Sequence, residues 1–357
     1  MTFPLVENIL AQPEAIRAVA AYQFGKGKDA LLASSALLRS RRRIILSGMG
    51  GSLSACIPLG HFLASKSVMA PVIETSELLY SYAPTLDENS AVILVSRSGE
   101  TVEVTKLLSI LEERKAAVIG VTNIPGSTLA SRSTQSVCVH SPPDQLVAIQ
   151  TYTATLIVLL LLGAAFCDEF NANLRSELDA LSNALSAWIP ECFKTSSSWE
   201  SFLEAPSPLY LLGRGASLAS VAAGVLVLHE VAKAPAVGMS AANFRHGPVE
   251  VVDEQFHGII FGSERNTADL DAALVQDLGG MKADVRWIGP PVNGRNLIPL
   301  CPWPASVPDR FASVCEVIPL QIAAYQLAKI RGVIPGEFRH APAVTVSETG
   351  FSTVGAT

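Results

Sequence analysis

One arrangement occurs twice in this chain, and it constrains the fold more than any other feature. "RRIILSG" at 42–48 is an apolar strand-like run ending in glycine, followed by the loop "GMGGS" and the helical "SLSACIPLGHFLAS" at 52–65. "PLYLLGRGASLASVAAGVLVLHE" at 208–230 has the same strand, G-x-G-x-S loop and helix. Setting Gly48 and Gly50 against Gly213 and Gly215 gives a displacement of roughly 165 residues (213 − 48). Near that displacement "HGIIFGSERNTADLDAALVQDLG" falls on "AVILVSRSGETVEVTKLLSILEE", and "ADVRWIG" at 283–289 answers "AAVIGVTN" at 116–123. Continuous apolar strands joined by helices predict parallel sheets covered on both faces. The expected fold class is therefore α/β, with two tandem doubly wound parallel-sheet domains of the flavodoxin-like kind. The expected division is an N-terminal helical segment at 1–40, domains at 41–190 and 200–335, and a tail at 336–357.

Composition supports a large packed core. The 357 residues are 49% hydrophobic and 16% charged, with a formal net charge of −6. That balance excludes a disordered chain, and charge this dispersed argues against a nucleic-acid face. Six scattered cysteines form no CxxC pair, which speaks against a zinc site or a disulfide framework. The N-terminus lacks the pattern of a signal peptide, and the apolar "ATLIVLLLLGAAF" at 154–166 is shorter than the roughly 20 residues of a spanning helix. A cytoplasmic protein without membrane partners is the expectation.

The loops carry the chemistry. Helix N-termini present unpaired N–H groups and partial positive charge, so Gly50, Gly51 and Ser52 suit an anion, although a plain tight turn reads equally well from them alone. A dinucleotide is disfavoured: Leu53 stands where the third glycine of G-x-G-x-x-G belongs, and no acidic residue follows at the required distance. "SRSGET" at 96–101 gathers Ser96, Arg97, Ser98 and Thr101 at a second strand-to-helix turn. Two such loops at the carboxyl ends of parallel strands face one crevice and together suit one phosphate group. No GxxxxGK[ST] pattern is present.

These motifs in order, "GMGGS", "SRSGET", "GRGAS" and "FRHGP", resemble the sugar isomerase (SIS) family, particularly its members with two such domains. The likeness runs from about residue 40 to about 346. It implies a sugar-phosphate ligand held by Ser52, Ser96, Ser98 and Thr101, no organic cofactor and no metal. It also implies a homodimer with a composite active site. Within the apolar helix, Glu230 follows Ala223, Leu226 and Val227 at helical spacing, which predicts a carboxylate on a buried face. Such a group is either paired, with Lys233 or Arg245 the candidates, or functional. The resemblance implies that Glu230 moves a proton between sugar C1 and C2 and that His246 of "RHGP" helps open the ring. On its own, a loop histidine such as His246 is more often a surface or hydrogen-bonded residue than a catalyst.

Departures are visible as well. Pro342 falls where the resembling enzymes have a tail lysine, leaving His340 or Arg339 as substitutes. Ala223 and Val227 replace a glutamate and a lysine, and Ala148 and Gln150 replace a serine and a basic residue. The expected activity is aldose–ketose isomerisation of a hexose 6-phosphate, with an amino sugar favoured. A deaminase and a non-catalytic sugar-phosphate sensor stay open. No glutaminase module is expected ahead of residue 40.

Overall fold

The computed structural model describes residues 3–305, 307–340 and 344–350. The chain forms two compact units, each holding one parallel sheet. The N-terminal unit comprises Glu14–Asp179 and Phe338–Thr357, and the C-terminal unit comprises Met1–Pro13 and Ala180–Glu337. The long helices Pro4–Gln23 and Ala172–Thr195 therefore contribute residues to both.

The N-terminal unit contains strands β1 (Arg43–Gly48), β2 (Val72–Glu74), β3 (Ser90–Val95), β4 (Ala117–Thr122) and β5 (Gln135–Cys138). Their order is β2-β1-β3-β4-β5, all parallel. Every residue of β3 and β4 is buried, as expected of central strands covered on both faces. On one face Ile45, Val92, Leu94 and Val118 pack with Val104, Leu107, Leu108 and Leu111 of the helix Val102–Glu113. The helix Gln150–Phe166 lies against the helices Gly51–Ser65 and Lys28–Arg39 and is buried from Gln150 to Ala165. Complete burial explains its uninterrupted apolar sequence. Its start is held by Asp144, whose carboxylate accepts the amides of Ile149 (3.0 Å), Gln150 (3.0 Å) and Thr151 (3.1 Å).

The C-terminal unit repeats the plan with β6 (Leu209–Gly213), β7 (Ala236–Ser240), β8 (His257–Phe261) and β9 (Asp284–Ile288), in the order β7-β6-β8-β9. Ile45 pairs with Val92, and Tyr210 pairs with Gly258. The displacement is thus 165 residues for the first strand of each sheet (210 − 45) and 166 for its partner (258 − 92). In both sheets the chain reverses its direction of winding between the first strand and its partner. The carboxyl ends of β1 and β3, and of β6 and β8, are therefore the switch points where open α/β sheets leave a crevice.

Among the described residues two helical stretches, Gly215–Ala232 and Asp309–Ile330, are long and apolar enough to cross a membrane, and the most apolar 18 residues of the latter are 89% buried inside the protein. Four of the six cysteines are buried, and all six are free thiols.

One buried histidine makes stability depend on pH. His257 at the start of β8 donates from Nδ1 to the Phe202 carbonyl (3.1 Å) and leaves Nε2 buried without a partner. Burial lowers its pKa to about 4 from the usual 6.5, with the nearby Asp284 opposing the shift. Between these values the unfolded chain binds more protons than the folded one, so stability is present above about pH 6.5 and is lost as pH falls towards 4. The expected slope approaches about 1.4 kcal/mol per pH unit. Chemical denaturation of wild type and His257→Gln from pH 7 to 4.5 checks this, with a shallower slope expected in the variant.

Candidate functional site

In the N-terminal unit the loop after β1 turns sharply at Gly50, whose φ of 52° and ψ of −123° suit glycine, and the helix begins at Gly51. Ser52 lies in the first turn of that helix, half-buried, and its hydroxyl has no protein acceptor among the described residues. The loop after β3 is ordered by its own side chains. Ser96 Oγ accepts the Gly99 amide (3.1 Å) and lies 3.1 Å from Thr101 Oγ1, while Ser98 Oγ accepts the Glu100 amide (3.2 Å). Four hydroxyls with one mutual bond leave three O–H groups to donate. The helix Val102–Glu113 starts immediately after Thr101, so its partial positive end adds to the same crevice. Arg97 is half-buried, and its carbonyl accepts Asn123 N–H (3.1 Å) and Thr122 Oγ1–H (3.1 Å).

Two further contacts fix this loop. The Glu100 carboxylate accepts the amide of Thr128 (2.6 Å) and its hydroxyl (2.8 Å). Gly99 has φ of 69°, and a Cβ built there would meet Ser127 Oγ at 2.2 Å. The tail reaches the same helix start: the Val102 amide donates to the Thr345 carbonyl (3.0 Å), and Glu348 accepts from Tyr80 Oη (2.8 Å) and pairs with Lys106. His340 and Arg339 are exposed in this tail, and Pro342 lies outside the described residues.

In the C-terminal unit Glu230 lies in a widened π-helical turn, Leu228–Ala232, that closes the helix Leu218–Val227. This corrects the expectation of a buried carboxylate: Glu230 is half-buried, while Ala223 and Val227 of the same stripe are buried. A π turn contains more than 3.6 residues, which rotates Glu230 away from the stripe that α-helical spacing predicts. Of the cations expected to pair with it, Arg245 bonds Asp277 (2.9 Å) and Lys233 donates to the backbone carbonyl of Glu230. His246 is exposed in the turn after the helix Ala241–Phe244, with its amide on the Asn243 carbonyl (2.9 Å), and Gly247 follows with φ of 125°.

The sequence reading passed over Glu316. It is fully buried in the helix Ala312–Ile330, and its carboxylate accepts Ser217 Oγ (2.7 Å), Ser220 Oγ (2.6 Å) and Ser263 Oγ (2.5 Å). Burial pushes its carboxyl pKa up, and the three hydroxyls and the Ser263 amide pull it back. The signal was available: Glu316 is the sole acidic residue of a mostly apolar helix, close to the criterion that singled out Glu230.

The fold agrees with the comparisons to known proteins. Residues 37–165 match the SIS domain family. It is 26% identical over 349 residues to a glutamine–fructose-6-phosphate aminotransferase (isomerizing) of Pyrococcus horikoshii, covering 96% of this chain and 57% of that protein. The chain thus spans little more than half the length of that relative. Among solved structures, the C-terminal domain of glucosamine-fructose-6-phosphate aminotransferase from Francisella tularensis superposes with a TM-score of 0.80 at 20% identity. That match covers 94% of this chain and 99% of the other. A glucosamine-6-phosphate deaminase from Thermotoga maritima gives 0.75 at 19% identity, covering 96% and 99%.

Gly99→Ala tests how firmly the loop is held. The methyl group must displace Ser127 in a backbone conformation that alanine rarely adopts, and a loss of about 1–3 kcal/mol is expected on urea denaturation.

Proposed function

We propose that the chain is a phosphosugar isomerase that acts on a hexose 6-phosphate, with an amino-hexose 6-phosphate as the favoured substrate. The observation that carries this reading is the set of three donor hydroxyls gathered at the β1/β3 switch point beside two helix N-termini. Ser52, Ser98 and one hydroxyl of the Ser96–Thr101 pair donate to the phosphate oxygens, the other hydroxyl of that pair orienting it, with Gly50 and Gly51 allowing close backbone approach and Arg97 adding charge. The relatives' names supply the sugar-phosphate class.

Glu230 acts as the base. Its carboxylate takes the C2 proton of the open-chain aldose while O1 gains a proton, giving a C1–C2 enediol or, from a 2-amino sugar, an enolamine. Return of the proton to C1 with loss of the O2 or amino proton gives the ketose or the C2 imine, and water releases ammonia from that imine to give the ketose in the deaminating reading. The reverse reaction begins at C1. His246 delivers the proton that opens the ring, a role suited to imidazole near neutral pH. Its exposed turn fits a homodimer in which it reaches the partner's phosphate loops, and His340 of the tail stands in for the missing lysine.

Calorimetry should show a sugar 6-phosphate binding far more tightly than the free sugar, with Ser52→Ala and Ser98→Ala each weakening the phosphorylated ligand by about 1–2 kcal/mol. Equal binding of both sugars would remove the cradle. In heavy water, wild type should place deuterium at C2 of the aldose or C1 of the ketose, and Glu230→Gln should abolish exchange while retaining phosphate binding. NMR with an ammonia assay on the same sample separates isomerase from deaminase. Tight binding without exchange leaves a sensor. Light scattering should report a dimer, and a monomer at micromolar concentration would eliminate the composite site.

A further inference from the structure

The duplicated half has its own loop pair at the β6/β8 switch point, and that pair already holds a carboxyl group of the chain itself. Ser217 stands 165 residues after Ser52, in the same position after a positive-φ glycine: Gly215 has φ of 55° and Gly50 has φ of 52°. Ser263 stands 166 residues after Arg97, in the loop that follows the partner strand. Ser220, in the first turn of the helix Leu218–Val227, completes the set. All three hydroxyls converge on the Glu316 carboxylate at 2.5–2.7 Å, the range of O–H···O⁻ bonds to a charged acceptor.

Other groups at this switch point also disfavour an external phosphate. Glu264, at the position equivalent to Ser98, lies over the glycine turn, so that a Cβ on Gly215 would meet its Oε2 at 2.8 Å. The cation of the loop, Arg214, is bound to the fully buried Asp271 at 2.7 Å.

We infer that the β6/β8 loop pair is an anion cradle filled by an internal ligand, the Glu316 carboxylate, and that phosphate esters enter the N-terminal half alone, one per chain. The internal ligand stands independently of the proposed isomerase activity, and only the count of one rests on the proposed β1/β3 cradle. Glu316→Ala removes a CH₂–COO⁻ group and leaves its three serine donors facing a gap the size of acetate. The variant's thermal midpoint should fall below that of wild type, and acetate should restore at least half of the loss where neutral acetamide does not. Equal rescue by the two, or rescue by neither, overturns the inference. If Glu316→Ala does not accumulate as folded protein, the same comparison is read from the yield of refolding with acetate or acetamide. In equilibrium dialysis with inorganic phosphate, wild type should bind one equivalent, lost in Ser52→Ala and retained in Ser263→Ala. A second equivalent that disappears in Ser263→Ala overturns the inference. Absence of phosphate binding in wild type counts against the β1/β3 cradle and overturns the stoichiometry.

Discussion

Parallel pairing of β1 with β3, and of β6 with β8, is the constraint on which the molecule depends. A sheet that winds outward in both directions from such a pair must leave its two helix-leading loops side by side, because the crossover helices depart to opposite faces. The loops then bring N–H groups and hydroxyls together without any contact between the loop sequences being required. Burial of β3 on both faces fixes its register, since every side chain is already committed to one core or the other. The position of Ser96 and Ser98 is therefore inherited from apolar residues that never touch a ligand.

The same architecture has been put to two uses. In one half the hydroxyls at the switch point retain protons to donate. In the other they are spent on a carboxylate delivered by the helix Ala312–Ile330. An uncompensated charge at that depth costs several kcal/mol, and the serines are the compensation. Duplication supplied two equivalent crevices, and a single acidic residue on a core helix separates their chemistry.

Central strands and the duplication were legible because continuous apolar runs have few alternatives to a buried parallel strand. The expected strands 42–48, 91–96 and 116–123 correspond to β1, β3 and β4. The strands β2, β5 and β7 were not: they are short or only partly buried, and Gly238 interrupts the last. The serine loops could be read because turn residues between a strand and a helix have a local cause. Glu230 was placed on the correct helix but at the wrong depth, since α-helical spacing cannot anticipate a π turn. The partners of Glu316 lie 53 to 99 residues away in sequence, and only the sheet topology brings them together.

The tail contact at the start of the helix Val102–Glu113 bears on how the protein is made. The N-terminal unit is discontinuous in sequence: after Asp179 the chain builds the C-terminal unit and returns at Phe338, so 158 residues (180 to 337) intervene. At roughly 5–20 residues per second, a ribosome needs on the order of ten to thirty seconds to cross that interval. Throughout it the Val102 amide has no Thr345 carbonyl, and Lys106 and Tyr80 have no Glu348. The helix end beside the serine loop is thus completed last, by residues translated after the second sheet already exists.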